Sequence, residues 1–143
     1  MDEELERLVR WRLGLIGYVV NPFPEAAVLD DFWRRAWGGP PPRNYGHVLS
    51  RSLAHLGAKD GERLVGFVNI AWDGGLHAFI LDTAVDAAYR RQGIASELVR
   101  LAAKLARDRG AKWLHVDFEP HLEGFYRACG FGPTAAGLMQ LSP

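Results

Sequence analysis

Val85-Asp86-Ala87-Ala88-Tyr89-Arg90-Arg91-Gln92-Gly93-Ile94-Ala95-Ser96 leads from a strand-like stretch into a strongly periodic one, and its reading decides the fold. Beyond Gly93, the residues Ile94, Leu98, Leu101, Ala102 and Leu105 share one stripe, which predicts a helix over Gly93–Arg109 stopped at Gly110. The first N–H groups of such a helix have no partners, and together with the helix dipole they make an anion site. Gly93 and Ala95 let the backbone approach a phosphate closely, and Arg90 and Arg91 add fixed positive charge. The arrangement suits a diphosphate. It lacks the Gly-Lys-Ser/Thr ending of a mononucleotide P-loop and the three-glycine spacing of a dinucleotide loop. The competing reading is an ordinary strand-to-helix connection with solvated arginines.

Working outward, Leu76 to Val85 reads as a strand, joined through Asp73-Gly74-Gly75 to an antiparallel neighbour over Leu64–Trp72. That neighbour is apolar on both faces except at Asn69, as expected of a central strand covered on both sides. Lys59-Asp60-Gly61-Glu62 reads as a turn after a strand over Leu53–Ala58, and Arg43 to Ser50 carries no clear pattern. Toward the N-terminus, Leu5, Leu8 and Val9 mark a helix over Glu3–Arg12. Ile16–Val20 is a short strand ended by Asn21-Pro22-Phe23-Pro24, and Val28, Leu29, Phe32, Trp33, Ala36 and Trp37 form the buried stripe of a helix broken by Gly38-Gly39-Pro40-Pro41-Pro42. Toward the C-terminus come a strand over Trp113–Phe118, a helix over His121–Cys129 capped by Gly130, and a segment, Leu138–Leu141, that closes the sheet. The expectation is one α+β domain spanning residues 1–143, with a mixed, mostly antiparallel sheet flanked by helices.

Composition narrows the function classes. With 143 residues, 48% of them hydrophobic, the chain can bury a core of its own. Seventeen basic residues balance seventeen acidic ones, which argues against nucleic acid or an anionic membrane as partner. The single Cys129 excludes an internal disulfide, the acidic start Met1-Asp2-Glu3-Glu4 does not read as a signal peptide, and no apolar run approaches the roughly 20 residues of a membrane span. A cytoplasmic location is the expectation. Five histidines and one cysteine show no metal-ligand spacing, so no metal is expected. His55 and His121 read as surface or cap positions.

The loop resembles that of the GNAT N-acetyltransferase superfamily, whose acetyl-CoA loop reads Arg/Gln-x-x-Gly-x-Gly/Ala, matched by Arg90, Gly93 and Ala95. A second family motif follows in Phe125-Tyr126-Arg127-Ala128-Cys129-Gly130-Phe131, and the resemblance covers roughly residues 63–131. It implies a GNAT-like fold and an acetyl-CoA-dependent N-acetyltransferase that moves the acetyl group to a primary amine by direct attack on the thioester. It further implies that the backbone of Thr83 and Val85 contacts the pantetheine arm and that the amides from Arg91 through Gln92, Gly93, Ile94 and Ala95 to Ser96 cradle the pyrophosphate. Ser96 could add its hydroxyl. Dimers are frequent in the family, so a homodimer is one open state.

Acyl transfer to an amine needs a neutral amine, a stabilised oxyanion and a proton for the departing thiolate. A free N–H at the end of the Leu76–Val85 strand is the natural oxyanion donor. By resemblance, Tyr126 binds the cofactor and protonates its sulfur. A phenol of pKa about 10 is a suitable acid for a thiolate of pKa about 8.5. The alternative for Tyr126 is a core aromatic. On the Trp113–Phe118 strand, Leu114, Val116 and Phe118 share one face, while His115, Asp117 and, just beyond, Glu119 share the other. Asp117, Glu119 or Asp82 then accepts the amine proton, directly or through water, or holds a cationic acceptor; a solvated strand face is the rival reading. Asn69, Trp72, His77, Tyr45 and His47 are the expected pocket lining. Two departures from the family stand out: Glu119 replaces the usual asparagine, and Phe79 stands where some members carry a glutamate base.

Two other function classes compete with an enzyme acting on a small-molecule or peptide amine. One is a non-catalytic acyl-CoA-binding regulatory domain of the same fold. The other is an interaction protein using Trp11, Trp33, Trp37, Trp72 and Trp113, most of which the periodicity places on core stripes.

Overall fold

A computed structural model describes residues 16–143, so the predicted helix over Glu3–Arg12 lies outside the described residues. Strand β1 (Gly17–Val20) leads into helix α1 (Ala26–Trp37) and the short helix α2 (Tyr45–Ser50). Strands β2 (Ala54–Asp60), β3 (Arg63–Trp72) and β4 (His77–Val85) follow, and then helix α3 (Ile94–Asp108), strand β5 (Trp113–His115) and helix α4 (Glu123–Ala128). The five strands form one mixed sheet in the order β1-β2-β3-β4-β5, antiparallel throughout except for the parallel β4–β5 pair.

Strand β3 is buried on both faces from Leu64 to Ile70, as its unbroken apolar run requires. One face packs under α3, whose Leu98, Leu101, Ala102 and Leu105 meet Val65, Val68 and Ile70. Gly66 sets how closely that helix lies: a Cβ there would come within 2.9 Å of Ile94 and 3.1 Å of Leu98. The other face is covered by α1 and α2, with Phe32, Trp33, Tyr45 and Leu49 against Leu64, Phe67 and Ala84. Asn69, the polar residue of this strand, accepts a hydrogen bond from Ser52 Oγ at 2.5 Å.

Several expectations need correction. Residues 43–50, unreadable as sequence, contain α2, whose buried face is only Tyr45 and Leu49. Lys59 and Asp60 belong to β2, and only Gly61 and Glu62 make the turn. Strand β5 ends at His115 instead of Phe118, because its partner β4 pairs with it only from His77 to Phe79. Leu138–Leu141 adds no strand: no edge accepts it, and Leu138, Met139 and Leu141 are exposed. Val28 and Trp37 fall outside the buried stripe of α1, and Trp113 is 59% exposed, so among the described tryptophans only Trp33 is core.

His55, read as a surface or cap residue, is fully buried. Its Nε2 accepts the Phe23 N–H at 2.9 Å, its backbone N–H donates to Asn21 Oδ1, and burial lowers its pKa to about 4. The neutral ring thereby staples the β1–α1 turn, in which Asn21 and Phe23 both have positive φ.

Candidate active site

The site begins with an irregularity in β4. Phe67 pairs with Ala84 but Asn69 with Leu81, so β4 carries one extra residue opposite Val68. Asp82 sits in this bulge with φ +57°, a left-handed conformation that an aspartate tolerates better than most residues. Past Phe79 the edge of β4 that faces β5 has no strand partner among the described residues, and a cleft opens between them. A cavity of about 450 Å³ occupies it, lined by Asp82 and Thr83 of β4, by Asp117 and Glu119 beyond β5, and by Tyr126 of α4. Trp37, at the end of α1, and Phe118 add aromatic walls.

Tyr126 is held on three sides. Its ring stacks on Phe118 at 4.8 Å and meets Phe125 and Phe131 edge-on at 4.9 and 5.7 Å. Burial raises its phenol above the ordinary value, against a smaller downward pull from the Thr83 hydroxyl, so it is protonated at neutral pH and able to donate. Thr83 Oγ1 is itself buried without a well-formed hydrogen bond to any described group. Nearby, Cys129 is raised by burial, and a hydrogen bond with Ser96 opposes that shift, so the end of α4 touches the start of α3.

The loop between β4 and α3 is built for close approach. Arg91 and Gly93 have φ +65° and +81°, no side chain caps the first turn of α3, and a Cβ at Gly93 would enter open space. The uncapped N–H groups and the dipole of this 15-residue helix therefore face outward. The two arginines diverge in use. Arg90 donates to the Ala36 carbonyl at 2.8 Å and to the Val85 carbonyl at 3.3 Å, fastening the loop to α1, while Arg91 is exposed. Asp86 adds a second fastening. It caps the turn at Ala88 and pairs with Arg35 and, at 3.2 Å, with Arg63. Burial pushes the Asp86 carboxyl up, but the Ala88 N–H and Arg35 outweigh it and hold the group below its usual range.

The structure thus brings Asp82, Thr83, Asp117, Glu119 and Tyr126 to one cleft. Asn69, Trp72, His77 and His47 lie outside its lining. Trp72 Nε1 donates to the Gly75 carbonyl, His77 pairs with His115 at 2.8 Å, and His47 is exposed on α2. Tyr45 reaches the site indirectly through Asp82. Sequence reasoning missed the Thr83 hydroxyl and the wall provided by Trp37. The first has no motif of its own, and the second was hidden by a periodicity that assigned Trp37 to the core.

A family model described as acetyltransferase (GNAT) family matches residues 18–131. The chain belongs to the GNAT acetyltransferase family. Its five-stranded mixed sheet with flanking helices is the GNAT fold. A GNAT family acetyltransferase of Streptococcus pneumoniae superposes with a TM-score of 0.77 at 25% identity, covering 90% of this chain and 98% of that one. The aminoglycoside N-acetyltransferase AAC(6')-Iy, solved in complex with CoA, has the same fold at a TM-score of 0.73 and 16% identity, covering 92% and 97% of the two chains. Rice glucosamine 6-phosphate N-acetyltransferase 1 is 42% identical over 50 residues, 35% of this chain and 30% of that protein. The matches to curated relatives span between 30% and 55% of those proteins' length.

Proposed function

We propose that this acetyltransferase takes its acetyl group from acetyl-CoA and delivers it to the primary amine of a small acceptor. The observation that carries the reading is the unpaired edge of β4 beyond Phe79, which faces Tyr126 across one cavity and continues directly into the open loop at Gly93. The uncapped amides of α3 and the exposed Arg91 would hold the pyrophosphate, Arg90 acting on the shape of the loop instead of on the ligand. The β4 edge and the buried Thr83 hydroxyl would meet the pantetheine arm and the thioester.

The roles of the side chains follow from the chemistry. The acceptor nitrogen must lose its proton before it attacks, and Asp117, Glu119 or Asp82 takes it, directly or through water. A β4 amide accepts the negative charge that develops on the thioester oxygen. The C–N bond forms, the C–S bond breaks, and Tyr126 donates its phenolic proton to the departing sulfur. The products are an N-acetylated acceptor and free coenzyme A thiol. Glucosamine 6-phosphate and aminoglycosides, in the names of the rice relative and of AAC(6')-Iy, are both small amines and define candidate acceptors.

Calorimetric titration with acetyl-CoA tests the reading, beside a Gly93→Glu variant whose side chain would project into the cradle. Wild-type binding that the variant loses, with thiol release that requires an amine, is the expected result. Absence of binding to the wild type at millimolar ligand would overturn it.

A further inference from the structure

Ser52, Asn69, Tyr45 and Asp82 come from four separate stretches of chain and form one row of hydrogen bonds that ends in the cleft. The Ser52 hydroxyl has one proton and two acceptors in reach, Asn69 Oδ1 at 2.5 Å and the Val48 carbonyl at 3.0 Å, and the nearer one takes it. With its oxygen turned to Ser52, Asn69 has its amide N–H groups left for Tyr45, and its hydrogen bond opposes the rise that burial and Asp82 impose on the phenol. Tyr45 gives its own proton to Asp82 Oδ2 at 2.7 Å. Asn69 and Tyr45 are buried, so water does not compete for these bonds. Every donor in the row points toward the carboxylate, and bonds in such a chain polarise one another. Asp82 is also the carboxylate of the cleft that is fixed. Asp117 and Glu119 are exposed, and neither side chain takes a hydrogen bond from a described residue. Asp82 is half-buried, and its left-handed φ of +57° is a conformation that persists only where the surroundings over-determine it. Its Oδ1 has no described partner and is left to the cavity.

We infer that the Ser52–Asn69–Tyr45 row positions Asp82 as the base of the reaction, with Tyr45 the positioning residue that sets its carboxylate. This assignment rests on the acetyl-transfer reading and chooses among the three carboxylates that reading leaves open. At Asp82 Oδ1 an N–H bond of the acceptor's ammonium breaks and an O–H bond forms, which frees the nitrogen lone pair for attack on the thioester. The second proton that nitrogen loses as the amide forms restores the Tyr126 phenol, and the proton on Asp82 passes to water once the products leave. Tyr45 touches no reactant. It acts by holding Oδ2, so that turning Oδ1 away from the cleft costs the carboxylate a charge-assisted hydrogen bond. Asp117 and Glu119 have no such restraint, and reaching the same proton would cost them rotamer freedom.

The test uses the full chain and has two arms. In the first, the carboxyl carbon resonance of Asp82, assigned by its loss in Asp82→Asn, is followed in Tyr45→Phe and in Ser52→Ala. The first variant keeps the ring, and the second changes a half-buried residue two links away from the carboxylate. Displacement in both is expected, smaller in Ser52→Ala, and an unmoved resonance in either would overturn the row. In the second arm, thiol release from acetyl-CoA is measured with kanamycin and with glucosamine 6-phosphate. The turnover number should fall at least about 100-fold in Asp82→Asn, at least about tenfold more than in Asp117→Asn or Glu119→Gln. In Tyr45→Phe it should fall about tenfold with the KM values of both substrates within about twofold of wild type, a split that a merely structural role would not give. A loss confined to KM in Tyr45→Phe, or a larger fall in Asp117→Asn or Glu119→Gln than in Asp82→Asn, would overturn the assignment of the base. Thiol release with neither amine would sink the acetyl-transfer reading, whereas the resonance arm decides the row by itself.

Discussion

The phenol of Tyr45 donates a 2.7 Å hydrogen bond to the Asp82 carboxylate, across 37 residues of chain, and so ties the buried face of α2 to the bulge beside the β4–β5 cleft. Burial, then the neighbouring Asp82, raises the phenol pKa, which keeps the donor proton in place throughout the working range. Tyr45→Phe removes that donor and leaves the ring packing against Trp33 and Phe67. The expected loss is about 1–2 kcal/mol in equilibrium unfolding. Wild-type stability in the variant would mean that the contact does not hold the bulge.

The left-handed backbone at Asp82 can be separated from its side chain. Asp82→Ala and Asp82→Gly both delete the carboxylate, but only glycine accepts φ +57° without steric cost. The glycine variant should be the more stable of the two by about 1 kcal/mol in urea titrations. Equal stabilities would show that the bulge relaxes when the carboxylate is gone.

Tyr126→Phe keeps the ring among Phe118, Phe125 and Phe131 and removes only the proton donor. Turnover should fall by about 10- to 100-fold or more with acetyl-CoA affinity unchanged. Because burial raises the phenol pKa, the wild-type rate should fall only at a pH above the ordinary phenol range, and that fall should vanish in the variant. An unchanged turnover number would remove Tyr126 from the acid role.

His55 makes acid stability a local property. Its folded pKa, about 4, lies below an ordinary value near 6.5, so the neutral ring contributes fully above pH 6.5, and its contribution is lost as pH falls toward 4. The loss over that window is on the order of 3 kcal/mol. His55→Gln retains an acceptor for the Phe23 N–H and does not titrate, so its thermal midpoint should vary much less between pH 7 and 4.5. Parallel pH profiles for the two proteins would assign the effect elsewhere. Asp86 is not a rival in this window, since a depressed carboxyl gives up its contribution only at lower pH.

Long periodic signals were legible. Strands β3 and β4, helix α3 and the loop between them came straight from apolar runs, an Asp-Gly-Gly turn and a glycine before a helix, and all lie within the stretch that the family model matches. What could not be read depends on contacts between distant residues. Alternation extended β5 to Phe118, but a strand lasts only as long as its neighbour's edge, and that edge leaves at Phe79 because of a bulge no local pattern announces. Histidine is common on surfaces, so nothing in the sequence said that His55 would be a buried acceptor for a strained turn. The carboxylates of the cleft were visible as candidates. Their gathering in one wall with no cation beside them was visible only once the chain was folded.

The last turn of α1 belongs to both halves of the cleft. Its Ala36 carbonyl receives Arg90 and its Arg35 grips Asp86, so the loop after β4 is bolted to it twice, while the next residue, Trp37, stands in the cavity wall. Neither end can be displaced without dragging the other. Strain applied at the loop before α3 reaches the wall of the cleft through a single residue step, and the turn over residues 34–37 is where one change would be felt in both.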